Sequence, residues 1–182
     1  MSLGGATSRG GVTGSRVAVL IGLGWWLWAV HALPTLVAAT LALLGLGAAA
    51  WLLRPRASST GGATVGKARR FPAVGFALLV IAEIAGLNLA LWLLRPPALH
   101  AYRIPAISLV VGLHFLPMLW LFGRRELVAC GAAMTAGAAL AAWAIQRGAA
   151  SDVIGAWEGA ANALILWTTA GYSLGGLRRA DV

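Results

Sequence analysis

One carboxylate stands out by its surroundings. Glu83 lies at the centre of a 24-residue apolar run, Phe71–Leu94, bounded by Arg69 and Arg70 on one side and Arg95 on the other. A run of that length has the reach of a bilayer-crossing helix. An ionisable group at its midpoint costs several kcal/mol unless it is paired, protonated or wet, so such groups mark ion and proton paths. His114 lies midway between Arg103 and Arg124 in another apolar run, which predicts the same midplane depth. A carboxylate and an imidazole at one depth can pass a proton between them near neutral pH. Glu158 and Asn162 are four residues apart and share one helical face. Asn88 is five residues beyond Glu83, about 140° around the helix, so those two do not face one partner. The expectation is a polar vestibule carrying Asn88, Glu158 and Asn162, open to the outside and ending at Glu83 and His114. These five are the candidate substrate- or proton-binding residues. The structural alternative is that Glu83 and His114 merely clasp two helices together, as polar residues do inside bundles.

The elements that must position these groups are membrane spans. The chain has 182 residues, 60% hydrophobic and 10% charged, with a mean hydropathy of +0.84. A soluble domain carries about a quarter charged residues, so this is an all-α, multi-pass membrane protein whose first partner is the lipid bilayer. Six apolar runs are predicted as transmembrane helices: Val17–Leu33, Thr35–Leu53, Phe71–Leu94, Ile104–Phe122, Leu127–Gln146 and Gly155–Gly176. Only Pro34 separates the first two, and one helix through both would overrun a bilayer, so the chain turns back at His31–Pro34. The first run reads as a span and not a cleaved leader, because its removal would invert every later loop.

Basic residues set the orientation. Eleven of the 14 lysines and arginines lie before the first span, between the second and third, between the fourth and fifth, and after the sixth. Both termini are therefore expected in the cytoplasm. Arginines confined to short loops also remove nucleic acid as the explanation of the +9 net charge. Lys67 is the only lysine in a chain rich in Ala and Gly, a bias that suggests a bacterial source and hence the inner membrane. Residues 1–16 read as a disordered tail, 54–70 as a flexible cytoplasmic linker, and 177–182 as a second tail.

Short matches recur in the same order in both halves. His31-Ala-Leu-Pro34 answers to His114-Phe-Leu-Pro117, and Leu36-Val-Ala-Ala39 to Leu127-Val-Ala-Cys130. Ala49-Ala-Trp51 answers to Ala141-Ala-Trp143, and Glu83 with Asn88 to Glu158 with Asn162. A repeated unit of three spans must be inverted in the membrane, so residues 17–94 and 104–176 are expected as two inverted three-helix repeats. Pro117 is expected to kink the fourth span below His114. Gly155, Gly159, Gly171 and Gly175 should allow close helix approach. Trp51, Trp92 and Trp143, with the Trp25–Trp28 cluster, fit an interfacial belt.

Absent motifs narrow the function. No nucleotide-binding loop is present, so the chain is not a self-powered pump. No His-x-x-x-His or Cys-x-x-Cys pair is present, and no metal or other cofactor is expected. An intramembrane hydrolase would need a serine near a histidine, and Ser108 and Ser173 are candidates only in name. The leading expectation is a small permease or channel for a small solute or ion, coupled to protons through Glu83 and His114. The alternatives are a membrane-embedded enzyme acting on a lipophilic substrate, or a non-catalytic subunit of a larger complex. Six short helices leave little room for a wide pore, so either the permeant is small or the chain forms a homo-oligomer.

Overall fold

The computed structural model of the chain describes residues 6–31, 33–54 and 73–179. It is all-helical, with no strand among the described residues. The helices are α1 (Ala6–Val30), α2 (Thr35–Leu53), α3 (Ala73–Leu93), α4 (Arg103–Phe115), α5 (Met118–Phe122), α6 (Arg125–Gln146) and α7 (Ser151–Arg179). A 3-10 turn, Pro97–Tyr102, leads into α4. Four segments are long and apolar enough to cross a membrane: Thr35–Leu53, Val74–Leu93, Pro97–Phe122 and Arg125–Gln146. Ser15–Val30 is a shorter apolar helix.

Local chemistry explains the boundaries. Pro34 stands at the N-cap of α2, where a missing N–H is harmless, and reverses the chain after α1. Pro117 removes the N–H that would have met the Leu113 carbonyl and splits α4 from α5. The Leu113 carbonyl instead takes the Leu116 N–H at 3.3 Å, so the expected kink is present. Gly123 ends α5 at φ 68° and donates its N–H to Leu119, a left-handed closure that suits glycine. Helix α1 begins at Ala6, inside the stretch expected as a tail, since a helix nucleated by an apolar span extends cheaply beyond it. The expected linker, apart from Arg54, and residues 180–182 lie outside the described residues.

Four helices form the core. Helix α7 packs most heavily on α1 and also on α6, and α4 packs on α6 and α7. Helix α2 lies against α1 on one flank, and α3 lies chiefly against α4 on the other. The buried positions of α7 explain its central place: Gly155, Glu158, Gly159, Asn162, Ala163, Leu166, Trp167, Ala170 and Ser173 recur every three or four residues, one continuous stripe. Trp167 anchors the α1–α2–α7 cluster with Val19, Ala49, Leu52 and Ala170. Cys130, Met134 and Leu166 form a second cluster between α6 and α7.

Small residues set the spacing. A Cβ on Gly131 would stand 2.5 Å from the Gly112 carbonyl oxygen, so α6 and α4 touch backbone to backbone. Gly159 meets Trp25 and Ala29 of α1 in the same way. Gly155 and Gly171 have only distant neighbours, so among the described side-chain positions the expected close contacts on this helix come from Gly159, and the surroundings of Gly175 lie outside them. The tryptophans divide similarly. Trp28, Trp51, Trp92 and Trp143 are exposed, while the Trp26 indole is part-buried and donates to Leu41 of α2. Helices α2 and α3 expose large apolar side chains such as Leu36, Leu43, Val74 and Leu78, and no described residue of α3 is buried. Surfaces of that kind belong in lipid.

Candidate functional site

Helix α4 carries polar groups on two different faces. Toward α3, Gly86 receives Val110 at a contact that a Cβ would tighten to 3.1 Å. Because the two helices run antiparallel, one turn further along brings Glu83 opposite His114. The His114 Nδ1 and Glu83 Oε2 atoms are 3.5 Å apart. That is ion-pair distance, just too long or misaligned for a hydrogen bond, and Nδ1 has no other partner. The His114 ring is 8% exposed and the Glu83 carboxyl 23%, so the imidazole is the inner member and the carboxylate the outer. An apolar groove between α3 and α5, walled by Ala82, Pro117 and Trp120, adjoins the pair.

Toward α7, α4 presents Ser108. Its hydroxyl accepts a 2.7 Å hydrogen bond from Asn162 Nδ2, and both residues are fully buried. Accepting leaves the Ser108 O–H proton to donate, and the Glu158 carboxyl is the neighbouring acceptor. The two groups approach closely, but without the alignment of a hydrogen bond, and by that geometry both Glu158 oxygens are unpartnered. The 108–114 separation is about 120° around the helix and about 9 Å along it. The expected single vestibule is therefore corrected to two clusters on different faces of α4. Among the described residues no hydrogen bond or ion pair joins them.

The structure pairs Glu83 with His114, and Glu158 and Asn162 with each other's surroundings. It leaves Asn88 apart. Asn88 is exposed, and its amide donates to the Ile84 carbonyl of its own helix at 2.7 Å, away from both clusters. A polar amide facing lipid satisfies itself on the nearest backbone acceptor.

Other polar residues gather at one end of the bundle. A cleft of about 290 Å³ opens at the end of the bundle where α1 finishes and α4 and α7 begin. His31, His100, Ser151 and Asp152 line it, together with Trp28 and Ile104. His31 Nδ1 donates to the Trp28 carbonyl and His100 Nε2 to the Arg95 carbonyl at 2.8 Å, which fixes both rings. The sequence signal was slight: His31, His100 and Asp152 all fall in connections that alternation assigns to one face. No group of three or more His, Cys, Asp or Glu residues able to hold a metal ion occurs among the described residues.

Comparison with protein-family models, with curated proteins and with solved structures finds no match. The functional reading therefore rests on the residues themselves.

Proposed function

We propose that the chain is a small membrane permease or channel for a small solute or ion, coupled to protons through Glu83 and His114. One observation carries the reading. Two ionisable side chains of different helices stand 3.5 Å apart in surroundings that are otherwise apolar. The carboxylate and the imidazole each can hold one proton, so the pair passes it between a partly exposed oxygen and a buried nitrogen. Helix α3 is held chiefly by α4, so it can shift against that one neighbour while the proton moves.

In this reading the chain crosses a bacterial inner membrane six times, with both termini in the cytoplasm. Support comes from the sorting of the bundle ends. The end of α1 and the starts of α4 and α7 share one face around the cleft. The start of α3 and the end of α5 meet through Phe76 and Phe122, as alternating spans require. A duplicated three-span unit is supported by matching neighbours: α1 with α2 as α4 with α6, and α1 with α7 as α4 with α3. Helix α3 lacks the further neighbours that α7 has, and a second copy of the chain would supply them.

The test is proton uptake into proteoliposomes carrying an entrapped pH dye, under an imposed membrane potential. Wild type is expected to take up protons and Glu83→Gln to lose most of that flux while remaining folded and monodisperse. Equal flux in a folded Glu83→Gln variant refutes the proton path.

A further inference from the structure

The proton pair leaves a second carboxylate without employment. Glu158 is 5% exposed, and neither of its oxygens has a hydrogen-bond partner. No basic side chain forms an ion pair with it among the described residues. Buried carboxylates in native proteins are paired or hold a cation, because the unpaired charge is far costlier than a neutral polar group. The immediate neighbours are oxygen donors. Ser108 is 0% exposed and Asn162 1%, and their mutual hydrogen bond leaves a Ser108 lone pair and the Asn162 carbonyl oxygen for a ligand.

The cleft described above lies one helical turn away on three helices at once. Four residues on from Ile104 in α4 is Ser108. Four on from Gly155 in α7 is Gly159, beside Glu158. Four back from Ala29 in α1 is Trp25, whose carbonyl touches Gly159. Gly155 has no side chain to obstruct that turn, and even an added Cβ would meet only Ile104 there, at 3.9 Å.

We infer that Glu158, Asn162 and Ser108 form a binding site for a monovalent alkali cation, reached from the cleft walled by His31, His100 and Asp152. Carboxylate, amide and hydroxyl oxygens are hard donors, which suit alkali and alkaline-earth ions over transition metals. One carboxylate cancels one positive charge, so a monovalent ion leaves the interior neutral and a divalent ion does not. Protonation removes the charge and lets the acid's O–H turn to the free Ser108 lone pair, but it leaves the second carboxyl oxygen unpartnered. A bound cation engages both oxygens. The inference names the solute class of the proposed permease and rests on that reading for transport, while binding stands by itself.

The experiment uses the full chain in detergent at mildly alkaline pH and constant ionic strength. Unfolding temperature is followed by tryptophan fluorescence in chloride salts of Li+, Na+ or K+, against N-methylglucamine. A ligand that binds only the folded state raises that temperature saturably, and at least one alkali cation is expected to do so. Glu158→Gln is expected to weaken the apparent affinity by about thirtyfold or more, the usual loss when a buried charge partner is removed. Ser108→Ala should weaken it less, and it decides the matter if Glu158→Gln does not fold. Identical unfolding temperatures in all four salts overturn the site. So does a cation response kept in full by the variants that fold. A wild type that binds the cation but moves no protons keeps the site and removes proton coupling; one that moves protons but ignores every cation does the reverse.

Discussion

Replacing Gly131 by valine is expected to cost about 3 kcal/mol or more and to yield little folded protein. Even a single Cβ at this position would meet the Gly112 carbonyl oxygen at 2.5 Å and the Phe115 Cβ at 2.9 Å. Most overpacked cores relax by turning a side chain, but here the obstruction is backbone. Helices α4 and α6 would have to separate, and in lipid close packing is the main force that holds such helices together. The same movement would displace Ser108 and His114, which α4 carries on its two faces. Gly137 provides the control on the same helix, because nothing lies within 4 Å of its added Cβ. Gly137→Ala is expected to be neutral or slightly stabilising, as alanine is the better helix former. Detergent-induced unfolding in mixed micelles measures both. A Gly131→Val variant as stable as Gly137→Ala would show that the two backbones do not meet.

Trp167→Ala is the second large effect, at about 3–5 kcal/mol. The indole donates to the Val19 carbonyl at 3.1 Å, lies 5.7 Å from the Trp26 ring and fills the notch left by Gly22. One side chain thus ties α7 to α1 and, through Ala49 and Leu52, to α2. Truncation leaves a cavity among helices that are themselves too rich in small residues to collapse into it. Trp167→Phe keeps most of the volume and should cost much less, with the lost hydrogen bond accounting for about 1 kcal/mol. The same unfolding assay, run on both variants, separates packing from hydrogen bonding. Near-equal losses would assign the effect to the indole N–H.

The positions of the helices were legible wherever chemistry punctuates the chain. Pro34 and Arg54 bracket Thr35–Leu53, and the predicted span and α2 coincide. Pro117 broke the fourth span where its missing N–H required. The opposition of Glu83 and His114 could be read from their equal distances to flanking arginines. Facing was harder to read. A span that is apolar all round, such as α2 or α3, carries no periodic mark of which side packs, so nothing in the sequence separated the flank helices from the core. Ser108 looked incidental because one serine in a span usually bonds its own backbone. Its role emerges only when α7 lays Asn162 against it. The cleft was hidden for a related reason, since His31, His100 and Asp152 are far apart in sequence and share only an end of the bundle.

Both polar sites are placed by the bundle standing in a bilayer with the cleft on one face and the arginine-rich connections on the other. Cys130, the single cysteine, is buried, so cysteines introduced elsewhere can be labelled against a silent background. Leu33→Cys, Leu99→Cys and Ala149→Cys report on the cleft side, and Arg54→Cys and Arg125→Cys on the other. With a membrane-impermeant maleimide added to intact cells, the first three are expected to label at once and the last two only after the membrane is opened. Labelling of Leu99→Cys and Arg54→Cys from the same side would contradict the alternation of spans, and with it the placement of both polar sites.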